Sequence, residues 1–190
     1  MDIIKNKAKY CLIDAARIGP ALLDRFTEGV KYDSLYRGRS EEVLAAVAPY
    51  IAELGSDNGF DTWLFEDGWG DSRYIFIKSK FSMEKLWKHF RKFLLVKNEK
   101  GEELYFRFYD PRVLRIFLPT CNEAQLSEFF GPVDSFLAED KNPEYILEFS
   151  LQNGKLHTRK YASDGEDIAI DSSGENEENG MESVIFDTIV

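Results

Sequence analysis

Residues 145–161, YILEFSLQNGKLHTRKY, place β-prone alternating residues on both sides of Asn153-Gly154. An Asn-Gly pair between two such runs is the strongest short-range signal for a hairpin, because both residues tolerate the positive φ that a tight two-residue turn needs. The chain is therefore committed to an antiparallel strand pair here, whatever the rest of it does.

Upstream, strand and helix signals interleave without a strict βαβ rhythm. YCLIDAA (10–16), YDSLYRG (32–38), PYIAEL (49–54) and RYIFIKSK (73–80) read as strands, and so do EELYFRFY (102–109) and VDSFLAED (133–140). Helices are expected over 19–29, with Pro20 in its first turn and Gly29 as its stop, and from a Ser40 cap through EEVLAAVA to Pro49. Further helices are expected over 61–70, ending at Gly68, and over 83–96 after Ser82. In the last of these Leu86, Phe90 and Phe93 share a face opposite a basic one. Asp110-Pro111 is a strong start signal: a carboxylate to cap the backbone amides, then a residue whose fixed φ and missing N–H suit the first helical position. That helix is expected to close at Pro119, and a second one runs from Asn122 to Gly131. The fold class is α/β in the mixed α+β sense: a central mixed sheet flanked by helices, with a C-terminal hairpin and an acidic tail. The expected division is a domain over 1–140, a hairpin appendage over 141–162, and a mobile tail over 163–190 with a β-prone end.

Charge is unevenly placed. The 190 residues hold 24 Lys and Arg against 34 Asp and Glu, and no base follows Lys160. The body is close to neutral and the acidity sits in the tail. A balanced body with an acidic tail lacks the basic face that nucleic-acid binding requires. Cys11 and Cys121 are isolated among apolar residues, so reduced core thiols in a reducing compartment are expected. There is neither a signal-peptide pattern nor a run long enough to span a membrane, so the expected setting is cytoplasmic.

The search for chemistry returns little. His89 and His157 have no Cys, Asp or Glu neighbours at metal-ligand spacing, and no phosphate-binding or nucleophile-elbow motif occurs. No catalytic residue, metal or cofactor is expected. The densest constellation is FRFYDPR, where Arg107, Tyr109, Asp110 and Arg112 crowd a strand-to-helix turn. A capping Asp110 paired with an arginine would pin that turn, so these four are candidates for a structural or binding role. A small enzyme using Cys121 or His89 stays open as an alternative, as does an immunity-type protein whose acids engage a basic toxin.

Six segments in order carry a resemblance: YCLIDAARIGPALLDRF, YDSLYRG, VAPYIAEL, GWGDSRYIFIKS, LWKHFRKFLLVKNEKGEELYFRFYDPRVLRIFLPT and LSEFFGPVDSFLAED. Together they resemble the adaptor/chaperone family of bacterial type VI secretion systems, a domain long classed as of unknown function. The resemblance implies a non-enzymatic cytoplasmic protein that binds a toxic effector and helps load it on the spike, the valine-glycine-repeat protein. Cognate effector and spike are the implied partners. Many relatives carry a larger C-terminal lobe where this chain has a hairpin and tail. Self-association through that tail stays open.

Overall fold

The computed structural model describes residues 2–19, 21–26, 29–37, 44–55, 59–97, 100–162 and 165–168. The expected Pro20 and Ser40 helix starts, and the tail beyond Ile168, lie outside the described residues.

The strands are β1 (Tyr10–Asp14), β2 (Tyr32–Ser34), β3 (Pro49–Glu53), β4 (Tyr74–Lys78), β5 (Leu95–Lys97), β6 (Glu103–Tyr105), β7 (Ser135–Glu139), β8 (Tyr145–Gln152), β9 (Lys155–Ala162) and β10 (Asp167–Ile168). The α-helices are α1 (Asp2–Lys7), α2 (Ala15–Ile18), α3 (Ala21–Arg25), α4 (Phe60–Asp67), α5 (Met83–Phe90), α6 (Pro111–Thr120) and α7 (Glu123–Phe130). Among the described residues, eight strands form one sheet in the order β10-β9-β8-β7-β4-β1-β3-β2, and β5 and β6 form a separate ribbon.

The mixed α/β class is as expected, but the sheet is antiparallel at every pairing rather than mixed. The hairpin forms about Asn153 (φ 51°) and Gly154 (φ 78°), the conformation the dipeptide favours. It does not stand apart. β8 pairs with β7 from Ser135↔Ser150 to Glu139↔Ile146, so the expected boundary after residue 140 falls between two bonded strands of one sheet. Asp167 and Ile168 pair with Tyr161 and Lys160, which makes the described start of the tail an edge strand.

Alternation along the strands divides two cores. Tyr10, Leu12, Ile75, Ile77, Phe136 and Phe149 face α5, α6 and α7, where they meet Leu86, Phe90, Leu114, Phe117 and Phe129. Cys11, Ile13, Tyr50, Tyr74, Phe76 and Leu137 face the other way, onto Ile4, Leu22, Phe60 and Leu64. With both faces of the sheet covered, every residue of β1 is buried.

Capping behaves as read. Ser82 accepts from the Lys85 N–H, and Asn122 and Gln125 form a reciprocal box at the start of α7. Two boundaries differ. The helix expected over 83–96 ends at Phe90, passes through a 3₁₀ turn at Arg91–Phe93, and becomes β5, because Leu95–Lys97 pair with Glu103–Tyr105. The strand expected over 102–109 stops at Tyr105, since the chain turns to bury Phe106 and Phe108 against Phe117 and Phe90. Pro119 also sits inside α6 rather than closing it, one residue before its end.

Candidate functional site

The turn after β6 brings the four candidate side chains together with one that the sequence reading missed. Asp110 caps α6: its Oδ1 accepts from the Arg112 N–H at 3.0 Å. The Arg112 guanidinium closes on the same carboxylate as a fork, Nε to Oδ1 at 3.0 Å and an Nη to Oδ2 at 2.6 Å. Burial opposes ionisation of Asp110, yet the Arg112 side chain and backbone outweigh it and hold the carboxyl below its ordinary value. Of the two arginines close enough in sequence to form it, Arg112 makes the fork.

Arg107 reaches elsewhere. Its guanidinium pairs with Asp14, 93 positions away at the end of β1. Asp14 is fully buried and its Oδ1 caps α2 by accepting from the Ala16 N–H at 3.1 Å. Arg107 therefore ties the turn to the β1–α2 corner, at the end of an interior strand. Tyr109 is buried beside this pair, and burial, then the nearby Asp14 carboxylate, drive its phenol far above the ordinary tyrosine value. A strand running through 102–109 would put Tyr105, Arg107 and Tyr109 on one face; the backbone turns at Arg107 instead, where its carbonyl accepts from the Asp110 N–H. Asp14 had a sequence signal: an acid at the end of an apolar strand, directly before Ala-Ala.

Two further buried acids escaped the sequence reading. Glu139 accepts from the Gly70 and Ser72 backbone N–H groups at 2.7 and 2.6 Å, while the Arg115 guanidinium donates to the Glu139 carbonyl. Glu148 accepts from Lys7, Ser135 and Tyr161 at 2.5, 2.8 and 2.8 Å. These polar centres join elements distant in sequence, and every one has its partners inside the fold.

The other sequence candidates are dispersed. His89 donates from Nε2 to the Phe129 carbonyl at 2.8 Å, and burial lowers its pKa. The Cys121 thiol lies 3.4 Å from the Phe117 carbonyl and burial pushes it up to about 12. Cys11 is buried on the far side of the sheet, in the other core. Among the described residues, no group of three or more His, Cys, Asp or Glu converges as a metal site would require.

What the motif does border is a surface cleft. Tyr36, just beyond β2, packs 6.1 Å from Tyr105 of β6. Beyond them opens a cleft of about 210 Å³ lined by Leu35, Tyr36, Arg37, Arg91, Leu95 and Tyr105. Arg37 continues it into a second depression floored by Met83 and Trp87. The Trp87 ring is sandwiched between Arg37 and Arg91, at 4.3 and 4.4 Å, and its indole donates to the Ser34 carbonyl. Tyr105 is 61% exposed and Leu95 49%, and the two are cross-strand neighbours, so two large apolar side chains meet solvent side by side. The basic face expected opposite Leu86, Phe90 and Phe93 supplies Arg91 and Lys92 to the rim of this cleft. The cleft forms only because the helix ends early and β5–β6 folds beside it.

Among the described residues no helix is long and apolar enough to cross a membrane. No curated protein and no solved structure matches the chain. A family model, the domain of unknown function DUF4123, matches residues 9–128, a stretch that runs from β1 through both FRFYDPR pairs and most of α7. The chain belongs to the DUF4123 family.

Proposed function

We propose that this protein is a non-enzymatic adaptor of a bacterial type VI secretion system, which binds an effector in the cytoplasm and helps load it on the valine-glycine-repeat spike protein. The six ordered segments that resemble those adaptors support the reading, and five of them fall largely within the family match. The observation that carries it is the cleft: Tyr36, Trp87, Tyr105, Arg37 and Arg91 form one contiguous surface. Tyr, Trp and Arg are the residue types that dominate binding energy at protein interfaces, since each offers a large rigid area with a polar handle. The acids and arginines of FRFYDPR serve this surface indirectly, by fixing the turn that leads out of β6.

The proposal expects genes for a toxin and a spike protein beside this chain's own, and the test is co-expression of the tagged full chain with those two proteins. The expected result is a soluble complex of chain and toxin to which the spike adds. A toxin that stays soluble, folded and unbound in the presence of the chain overturns the proposal.

A further inference from the structure

The same cleft has an electrostatic character that its apolar lining does not require. Arg37 pairs with Asp33 and Lys88 with Glu84, but Arg91 and Lys92 have no carboxylate partner among the described residues. They stand on the cleft's rim beside the exposed Leu95 and Tyr105. An apolar floor with unpaired cations at its edge fits an extended segment that carries large apolar side chains between acids.

The chain contains such a segment. Residues 169–190 lie outside the described residues; they hold acids and no base, and within them Val184, Ile185 and Phe186 are flanked by Glu182 and Asp187. Reach is sufficient. The sheet is about 34 Å wide from β10 to β2, at about 4.8 Å per strand, while residues 169–190 extend to about 75 Å. Tethering also favours this occupant over a second copy, because a linked segment is present at an effective concentration in the millimolar range.

We infer that the cleft between Tyr36, Trp87 and Tyr105 is the docking site of the chain's own acidic C-terminal segment. Val184–Phe186 cover Leu95 and Tyr105, and Glu182 and Asp187 meet Arg91 and Lys92. The inference concerns the free chain and does not depend on the proposed partners.

A nitroxide at Ser183→Cys, in a full-length chain carrying Cys121→Ser, tests it through paramagnetic broadening of amide and indole NMR signals. The expected result is broadening of Trp87, Arg91, Leu95 and Tyr105, with sites remote from the cleft, such as Gly154 at the hairpin tip, less affected. Salt at about 0.5 M, where the Debye length falls to a few ångströms, should remove most of it. Arg91→Glu with Lys92→Glu should remove it too, with the remaining spectrum unchanged. Mixing labelled, NMR-silent chain with unlabelled isotopic chain should give no broadening. Absence of broadening at the cleft overturns the inference, as does its survival in the charge-reversed chain. Equal broadening in the mixed sample overturns it as well, by making a second copy the occupant. Effector binding could fail in the co-expression test while this docking is observed, and the reverse, so the two readings fail separately.

Discussion

Replacing Arg107 by Met should cost far more than the exposure of its side chain suggests. The guanidinium is 41% exposed, but its partner Asp14 is buried to 1% at the side chain. Truncating the arginine returns nothing to water on the Asp14 side; it leaves a carboxylate inside the fold with one oxygen unpartnered. Removing one member of such a pair typically costs 3–5 kcal/mol. Asp14 keeps its bond from the Ala16 N–H, so the lower end applies, about 3 kcal/mol. In a chain of this length that is a fall in Tm of roughly 6–12 °C. Asp14→Asn behaves differently: it keeps a capping oxygen, and the half-exposed arginine is rehydrated, so the cost is about 1 kcal/mol. The double variant should then lose only about 1–1.5 kcal/mol, because the buried charge is gone. Urea unfolding of the four proteins measures the cycle. A loss below about 0.5 kcal/mol for Arg107→Met, or losses that simply add in the double variant, would refute the claim that the arginine exists to neutralise Asp14.

Further outcomes follow from the same geometry. Asp110→Ala should cost about 1–2 kcal/mol in urea unfolding, since a helix cap is lost while the half-exposed Arg112 is free to solvate. Gly131→Ala should cost about 2–4 kcal/mol: φ is +44° and a Cβ would sit 2.5 Å from the His89 ring, so strain and overpacking combine. Burial alone would raise the Glu148 carboxyl, but hydrogen bonds from Lys7, Ser135 and Tyr161 outweigh it and hold the pKa below the ordinary value. Its stabilisation is therefore complete above the unfolded value of about 4.3 and disappears as pH falls through the lower folded value. Glu148→Gln should flatten the acid limb of Tm plotted against pH. With its thiol pushed up to about 12, Cys121 should react with a thiol reagent at pH 8 far more slowly than after unfolding in urea.

Local signals were legible where a short stretch of chain carries its own instruction. Asn153-Gly154 made the turn, Asp110-Pro111 the start of α6, Asn122 the start of α7, and Ala48 took the extended conformation its following proline imposes. The burial of both sheet faces was also written in Tyr10–Ile13, four successive apolar residues that need cover on two sides. What was not legible depends on partners far along the chain. Leu95 and Val96 looked like the continuation of an amphipathic helix, and only pairing with Leu104 and Tyr105 makes them strand. The hairpin looked like an appendage because nothing within 145–161 encodes its register on β7. At the candidate site the Asp110–Arg112 fork was foreseeable, being two residues apart, whereas the Arg107–Asp14 pair spans 93 positions. The cleft needed both failures undone: the early end of α5 and the turn after Tyr105 together create it.

The central proposal, that the chain is an adaptor and holds an effector on its aromatic and arginine surface, is tested most directly by titrating the purified toxin into the full chain and into Tyr105→Ala by isothermal calorimetry. Tyr105 is 61% exposed, so its removal should change stability by no more than about 0.5 kcal/mol. The account predicts saturable binding by the native chain and at least about tenfold weaker binding by the variant, with Tm unchanged. Equal affinity of the two proteins, or no binding by the native chain to a folded toxin, would contradict it.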